Sequence, residues 1–161
     1  MITLRPASTN DKAFLAALLS EVWAHYTGVP REPRHAQSIA HDLIAGPYTE
    51  TLIACSDDAP IGFAVYTFLL PAGERGSALF LKELFVSGDA RGLGLGKRFM
   101  AELLRIAQDQ GCSRIDWTTD RGNRSARAFY RRIGAAEQDD KVFFRVNADD
   151  FGTMLENLEL D

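Results

Sequence analysis

The stretch that decides the fold runs from Leu81 to Lys97 and reads LKELFVSGDARGLGLGK. Its beginning, Leu81–Val86, is mostly apolar and predicts the end of a buried strand. Ser87–Gly96 is rich in glycine and predicts a loop. From Gly96 onwards apolar side chains recur at helical spacing. A helix N-terminus behind a glycine-rich turn favours an anion, so the stretch predicts a site for a phosphate-bearing ligand.

Two well-known phosphate loops do not fit this stretch. A P-loop has four residues between its first glycine and a Gly-Lys pair that Ser or Thr follows. Here three residues separate Gly92 from Gly96, and Arg98 follows Lys97. A dinucleotide fingerprint has the pattern Gly-x-Gly-x-x-Gly after the first strand of a parallel unit. Here the pattern is Gly-x-Gly-x-Gly after several strands, so both loops are excluded by spacing and context.

The rest of the chain predicts a single α+β domain over residues 1–161, because no repeat, linker or low-complexity tract divides it. Three strands between residues 51 and 86 follow one another closely and favour an antiparallel meander. The patterns predict strands over 2–7, 51–56, 61–70, 78–86, 113–119 and 141–146, and helices over 11–26, 35–45, 96–110, 123–133 and 148–158.

Composition limits the partners. The net charge of −4 argues against nucleic acid, which is itself a polyanion. No apolar run reaches the roughly 18–20 residues that span a bilayer, and the N-terminus lacks the pattern of a signal peptide, so we expect a cytoplasmic protein without a membrane partner. Cys55 and Cys112 form no Cys-x-x-Cys pair, and the three histidines show no metal-ligand spacing, so we expect no metal.

The pattern Arg91-x-x-Gly94-x-Gly96 resembles the coenzyme A loop of the GNAT superfamily of N-acetyltransferases. The later pattern Asn123-x-x-Ala126-x-x-Phe129-Tyr130-x-x-x-Gly134 also stands where that superfamily has its second motif. The resemblance implies a GNAT fold, with a mixed, mostly antiparallel sheet of about seven strands and four to five helices. It further implies acetyl-CoA as cosubstrate, an amine as acceptor and a homodimer.

Residue roles come from the same resemblance. Tyr130 is expected to protonate the coenzyme A thiolate as it leaves, and the backbone N–H of Val86 is expected to polarise the thioester carbonyl. The residues expected to bind the cofactor are Leu84, Phe85, Val86, Arg91, Gly92, Leu93, Gly94, Leu95, Gly96, Lys97, Asn123, Ala126 and Phe129. Taken from the residues alone, Asn123 also fits a helix N-cap, and the Phe129-Tyr130 pair also fits core packing.

An amine acceptor must lose a proton before it attacks. A lysine-like amine has a pKa of about 10.4, and a carboxylate can take its proton directly or through water. Glu83 on the central strand is the candidate base. Residues Ile61–Tyr66, Leu81–Gly96 and Phe143–Val146 resemble the diamine acetyltransferase branch more finely. That branch has two consecutive acidic residues here, whereas this chain has Lys82 before Glu83. Strict alternation along a strand predicts that Lys82 and Glu83 face opposite sides. If the side of Lys82 is the catalytic one, the usual base is absent, and Glu83 binds substrate, lies in a buried structural pair or has no chemical role.

The acceptor stays open at this point. A small-molecule amine is the first hypothesis, acetylation of a protein lysine or N-terminus is the second, and a non-catalytic acyl-CoA-binding domain is the third. Tyr26 and Trp23 could line an acceptor pocket. The carboxylates of Glu21, Glu32, Asp42 and Glu50 fit a solvated surface better than amine recognition. Direct attack in a ternary complex is simpler than a covalent route through cysteine, since neither cysteine has a histidine near it in sequence.

Overall fold

The computed structural model describes residues 1–30, 32–57, 59–72 and 76–158. These residues form two compact units, Met1–Asp120 and Arg121–Asp161, of which residues 159–161 lie outside the described part. The first unit contains β1 (Ile2–Pro6), α1 (Lys12–Thr27), α2 (Pro33–Ala45), β2 (Glu50–Ser56), β3 (Ala59–Leu69), β4 (Ala78–Val86), α3 (Leu95–Asp109) and β5 (Ile115–Trp117). The second contains α4 (Arg124–Arg132) and α5 (Phe151–Leu158).

The first unit is built on a mixed sheet in the order β1-β2-β3-β4-β5. The first four strands are antiparallel neighbours, and β5 runs parallel to β4. The α+β class and the meander of β2, β3 and β4 are therefore confirmed, as are the five helices. Within the described residues the sheet has five strands, so the predicted count of about seven was too high.

The strand predicted over residues 141–146 is absent from the described structure, where this segment has no regular secondary structure. Its composition suits a strand, because Val142, Phe143 and Phe144 are all strand formers. Their side chains are exposed. Strand stability comes from cross-strand pairs, so apolar composition without a hydrogen-bonded neighbour does not make a strand.

Helices cover both faces of the sheet. On one face α1 and α2 enclose a cluster of buried side chains that includes Ile53, Phe63 and Val65. On the other face α3 packs against β4, and Phe99 of α3 is fully buried. Gly62, the residue before Phe63, lies on this second face, because a Cβ built on Gly62 would lie 3.5 Å from the Phe99 ring of α3. The position of α3 fixes the loop that precedes it.

A partly buried ion pair anchors the start of α1 to the sheet. Arg5 of β1 donates two hydrogen bonds, each of 2.7 Å, to the two carboxylate oxygens of Asp11. The backbone N–H and the hydroxyl of Ser8 also donate to Asp11. Asp11 is 2% exposed, and the Arg5 hydrogen bonds lower the pKa of its carboxyl to about 2. The charged form of Asp11 is therefore the stable one in the folded protein.

Replacing Asp11 by Asn is expected to lower the free energy of unfolding by about 2 kcal/mol at pH 7. The folded-state pKa of Asp11 lies below its ordinary value, so its stabilisation is present above pH 3.8 and is lost as the pH falls towards about 2. Urea unfolding of both proteins at pH 7 and pH 3 measures the difference. Asp109→Asn, a control on the exposed end of α3, should change stability by less than about 0.5 kcal/mol. An equal loss in Asp11→Asn at both pH values would contradict this account.

Candidate active site

The C-terminal half of β4 is paired along only one edge within the first unit. Its neighbour β3 accompanies it to the end, where Gly62 is opposite Val86. Its other neighbour, β5, pairs only with residues 79–81, the last pair being Leu81 and Trp117. The parallel pairing ends at Leu81, so one edge of residues 82–86 has no partner in β5. This edge is called the open edge of β4.

Backbone donors face this open edge. Ser87 donates its N–H to the carbonyl of Ile61 over 3.1 Å, so the N–H of Ser87 points towards β3. Backbone N–H groups alternate sides along an extended chain. Those of Val86 and Leu84 therefore point away from β3, to the side that β5 has left. A carbonyl placed there would accept a hydrogen bond, which is the role that the family resemblance implies for the Val86 N–H.

The glycine loop ends in an anion site. Gly92 and Gly94 have φ angles of 87° and 75°, a left-handed backbone that favours glycine. Gly94 is the N-cap of α3, whose first helical hydrogen bond is donated by the Arg98 N–H to the Gly94 carbonyl. The N–H groups of residues 95–97 thus have no acceptor within the helix, and the helix dipole adds positive potential.

Side chains complete this anion site and fix its position. Leu95 is 2% exposed and holds the first turn of α3 in the core. Arg91 and Lys97 are exposed on either side of that turn, and Leu93 is 53% exposed. The loop therefore offers backbone donors and two cations to a solvent-accessible polyanion, as a pyrophosphate requires.

A β-bulge interrupts β4 at Lys82. Glu83 is opposite Val65, but the next residue of β3, Tyr66, is opposite Leu81, so Lys82 is an extra residue in β4. Side chains do not alternate strictly between the two faces of a sheet across such a bulge. The prediction that Lys82 and Glu83 face opposite sides therefore does not follow for this strand. Glu83, as the partner of Val65, lies on the sheet face covered by α1 and α2.

Glu83 occupies a partly desolvated position. Burial raises the pKa of the Glu83 carboxyl, and the Lys82 charge and the Leu84 N–H oppose that rise. Tyr26, in the last turn of α1, has its phenol pKa raised by partial burial and then by the charges of Glu83 and Asp120. Tyr26, Glu83 and Asp120 therefore form one acidic neighbourhood beside the open edge of β4.

Sequence reasoning identified two members of this acidic neighbourhood and missed the third. The sequence suggests Glu83 as the base and Tyr26 as part of the acceptor pocket. It suggests no role for Asp120. Asp120 lies three residues beyond the end of β5, at Trp117, and the parallel pairing of β5 with β4 brings it to the same end of the sheet as Glu83. Glu50, by contrast, accepts a 3.5 Å hydrogen bond from the buried Tyr66.

The second predicted motif lies on α4 in the second unit. Asn123 is the N-cap, and its side-chain oxygen accepts a 3.0 Å hydrogen bond from the Ala126 N–H. Phe129 and Tyr130 are half-buried, with their ring centroids 5.0 Å apart. Gly134, with a φ angle of 94°, follows the end of the helix. The capping role of Asn123 is thus observed, and its cofactor role stays a prediction.

Comparison with known proteins agrees with this geometry. The profile of the acetyltransferase (GNAT) family matches residues 15–135. The chain belongs to the acetyltransferase (GNAT) family. It is therefore an acyltransferase, and its cosubstrate is acetyl-CoA. The backbone donors of β4 and the anion site at α3 fit the thioester and the pyrophosphate of that cosubstrate.

Three similar proteins illustrate how this GNAT chain relates to others. Thialysine N-epsilon-acetyltransferase of Bos taurus is 26% identical over 146 residues, which cover 84% of this chain and 85% of that protein. Aminoglycoside N(6')-acetyltransferase type 1 of Serratia marcescens is 27% identical over 140 residues, which cover 84% and 92%. The solved structure of an integron cassette protein from the mobile metagenome of V. cholerae has a TM-score of 0.87 and 27% identity, and the match covers 96% of this chain and 98% of that chain.

Within residues 1–30, 32–57, 59–72 and 76–158, none of the helices has the length and apolar character of a membrane span. In the same described ranges, no group of three or more His, Cys, Asp and Glu side chains could hold a metal ion.

Replacing Gly62 by Ala is expected to disturb the open edge of β4, where the thioester of acetyl-CoA is predicted to bind. The added Cβ would lie 2.8 Å from the Phe85 carbonyl oxygen and 3.4 Å from the Val86 Cα, so β4 must move. We expect a loss of about 1–3 kcal/mol in unfolding free energy and a weaker rise in melting temperature on adding acetyl-CoA. Gly88→Ala is the control, because a Cβ there meets no atom within 4 Å. Equal stability and equal ligand shifts in the two variants would contradict the prediction.

Proposed function

We propose that this acetyltransferase transfers the acetyl group of acetyl-CoA to a primary amine of a small molecule. The observation that carries the proposal is the open edge of β4, where the N–H groups of Leu84 and Val86 lie close in the chain to the half-buried carboxyl of Glu83. The acidic neighbourhood suits a cationic acceptor. The two curated relatives described above are named for acetylating thialysine and aminoglycosides, both of them amines, which supports the same class here.

The proposed reaction begins with the binding of acetyl-CoA and ends with protonation of the coenzyme A thiolate. Arg91 and the N–H groups at the start of α3 hold the pyrophosphate, and the Val86 N–H polarises the thioester carbonyl. Glu83 accepts a proton from the ammonium form of the acceptor, directly or through water, and leaves a neutral amine. The amine attacks the carbonyl carbon, a C–N bond forms, and the C–S bond breaks. Tyr130 then protonates the thiolate that leaves, in the role that family resemblance gives it. The nitrogen of the new C–N bond loses its second proton as the amide forms, and this proton, passed directly or through water, restores the Tyr130 phenol.

We propose direct attack within a ternary complex. Cys55 lies within β2 and is 3% exposed, so its thiol has no access to an acetyl donor. Cys112, which follows the end of α3, accepts a 3.5 Å hydrogen bond from the Ser77 hydroxyl. Both positions fit structural side chains better than an acyl carrier. The test is initial-rate kinetics with both substrates varied: intersecting double-reciprocal lines support direct attack, and parallel lines would indicate an acetyl-enzyme.

Three further features belong to this proposal. We propose that the two units make one catalytic domain, which the family match across residue 120 supports. A homodimer is proposed from the resemblance, and the exposed apolar side chains over residues 142–158 support it. Light scattering tests it, since a monomer mass at micromolar concentration would contradict the homodimer. A cytoplasmic location stays a prediction from sequence.

A further inference from the structure

Lys82 introduces a positive charge into an otherwise acidic acceptor region. It is exposed and is the extra residue of the β4 bulge, directly before Glu83. Its ammonium is near enough to act on the Glu83 carboxyl, whose charged form it favours. Tyr26 and Asp120 belong to the same neighbourhood, since partial burial and then the charges of Glu83 and Asp120 raise the pKa of the Tyr26 phenol. An acceptor beside Glu83 therefore meets anions and one cation.

These charges discriminate between two kinds of amine. A diamine carries a second ammonium, and an ammonium that approaches Lys82 is repelled. An acceptor that carries both an amine and a carboxylate can place the ammonium near Glu83 and the carboxylate near Lys82. An exposed lysine suits this role, because its long flexible stem lets a point charge follow a small anion. Discrimination of this kind needs both an attractive and a repulsive interaction. Lys82 supplies both, because its ammonium attracts a carboxylate and repels a second ammonium.

We propose that Lys82 is a specificity-determining residue and that the preferred acceptor is an amino carboxylate, with its amine at Glu83 and its carboxylate at Lys82. This inference rests on the proposed small-molecule acetyltransferase function and narrows its substrate class. Lys82 binds substrate and takes no part in proton transfer. Its effect should therefore appear in the choice between acceptors and not in the chemistry that all acceptors share.

The test compares two acceptors of equal carbon chain length, δ-aminovalerate and cadaverine. They share one primary amine and differ at the other end, where one has a carboxylate and the other a second ammonium. Wild-type kcat/KM, measured by release of free thiol from acetyl-CoA, is expected to be at least about 10-fold higher for δ-aminovalerate. In Lys82→Glu the ratio should fall by at least about 100-fold and favour cadaverine, because the charge at this position is reversed.

Lys12→Glu, with the same change of charge on the exposed start of α1, is the control and should keep the wild-type ratio. Because the ratio is taken within one protein, any change in the base strength of Glu83 affects both acceptors and cancels. A wild-type preference for cadaverine, a ratio that Lys82→Glu leaves unchanged, or activity confined to amines without a carboxylate would overturn the inference. Absence of thiol release with every amine tested would instead refute the proposed function.

Discussion

Replacing Glu83 by Gln is expected to lower kcat/KM by about 10²–10⁴-fold, the usual contribution of a positioned general base. The amide keeps the shape of the side chain but cannot accept a proton from the ammonium form of the acceptor. Folding should not suffer, since burial raises the pKa of Glu83 and so disfavours its charged form in the folded protein. The free energy that protonated Glu83 contributes to folding is therefore lost as the pH rises. At pH 8 the Gln variant should be at least as stable as the wild type.

The dependence of kcat/KM on pH tests the base role of Glu83 more sharply than the rate at a single pH. Only the deprotonated carboxyl can act as a base, so wild-type kcat/KM should fall as the pH drops through the raised pKa of Glu83. In Glu83→Gln that acidic limb should disappear. Glu156→Gln, on the exposed surface of α5, is the matched control and should keep both the rate and the limb. The base role is refuted if Glu83→Gln retains the wild-type profile between pH 6 and pH 9.

Replacing Tyr130 by Phe is expected to lower kcat by about 10²-fold or more, with little change in the affinity for acetyl-CoA. The substitution removes one hydroxyl and keeps the ring that packs beside Phe129 at 5.0 Å. The thiolate would then leave without a proton donor. Steady-state kinetics gives kcat, and the rise in melting temperature with acetyl-CoA gives the affinity.

Two further measurements separate an acid role of Tyr130 from a structural one. Tyr48→Phe removes a hydroxyl from a side chain that is 83% exposed and should leave kcat unchanged. An acid also acts only while protonated, so we expect kcat of the wild type to fall at high pH and this fall to be absent from Tyr130→Phe. If Tyr130→Phe turns over at the wild-type rate, another group must protonate the thiolate.

Local patterns predicted much of the fold. The strand over 78–86 is confirmed at both ends, because an apolar run bounded by turn residues has few other conformations. Gly111 has the positive φ angle expected where a helix ends, and Gly94 has one in the tight turn predicted before α3. The family match then confirmed what the loop and the second motif had indicated together. These features depend on residues close in sequence.

The features that sequence reasoning missed depend on pairs of segments. The bulge at Lys82 arises from the register between β3 and β4, which no pattern within β4 reveals. Asp120 joins the acidic neighbourhood because β5 runs beside β4, and its own sequence surroundings give no sign of this. The segment over 141–146 has the composition of a strand and lacks a paired neighbour in the described structure.

The central claim is that an amine, held beside Glu83, takes the acetyl group of acetyl-CoA. The most direct measurement is the release of free thiol from acetyl-CoA with a panel of polyamines, amino acids, aminoglycosides and lysine peptides, with mass spectrometry of each amine. We expect thiol release to saturate with at least one small-molecule amine and to yield one acetylated amine per thiol. Thiol release that is the same with and without every amine of the panel would contradict the central claim.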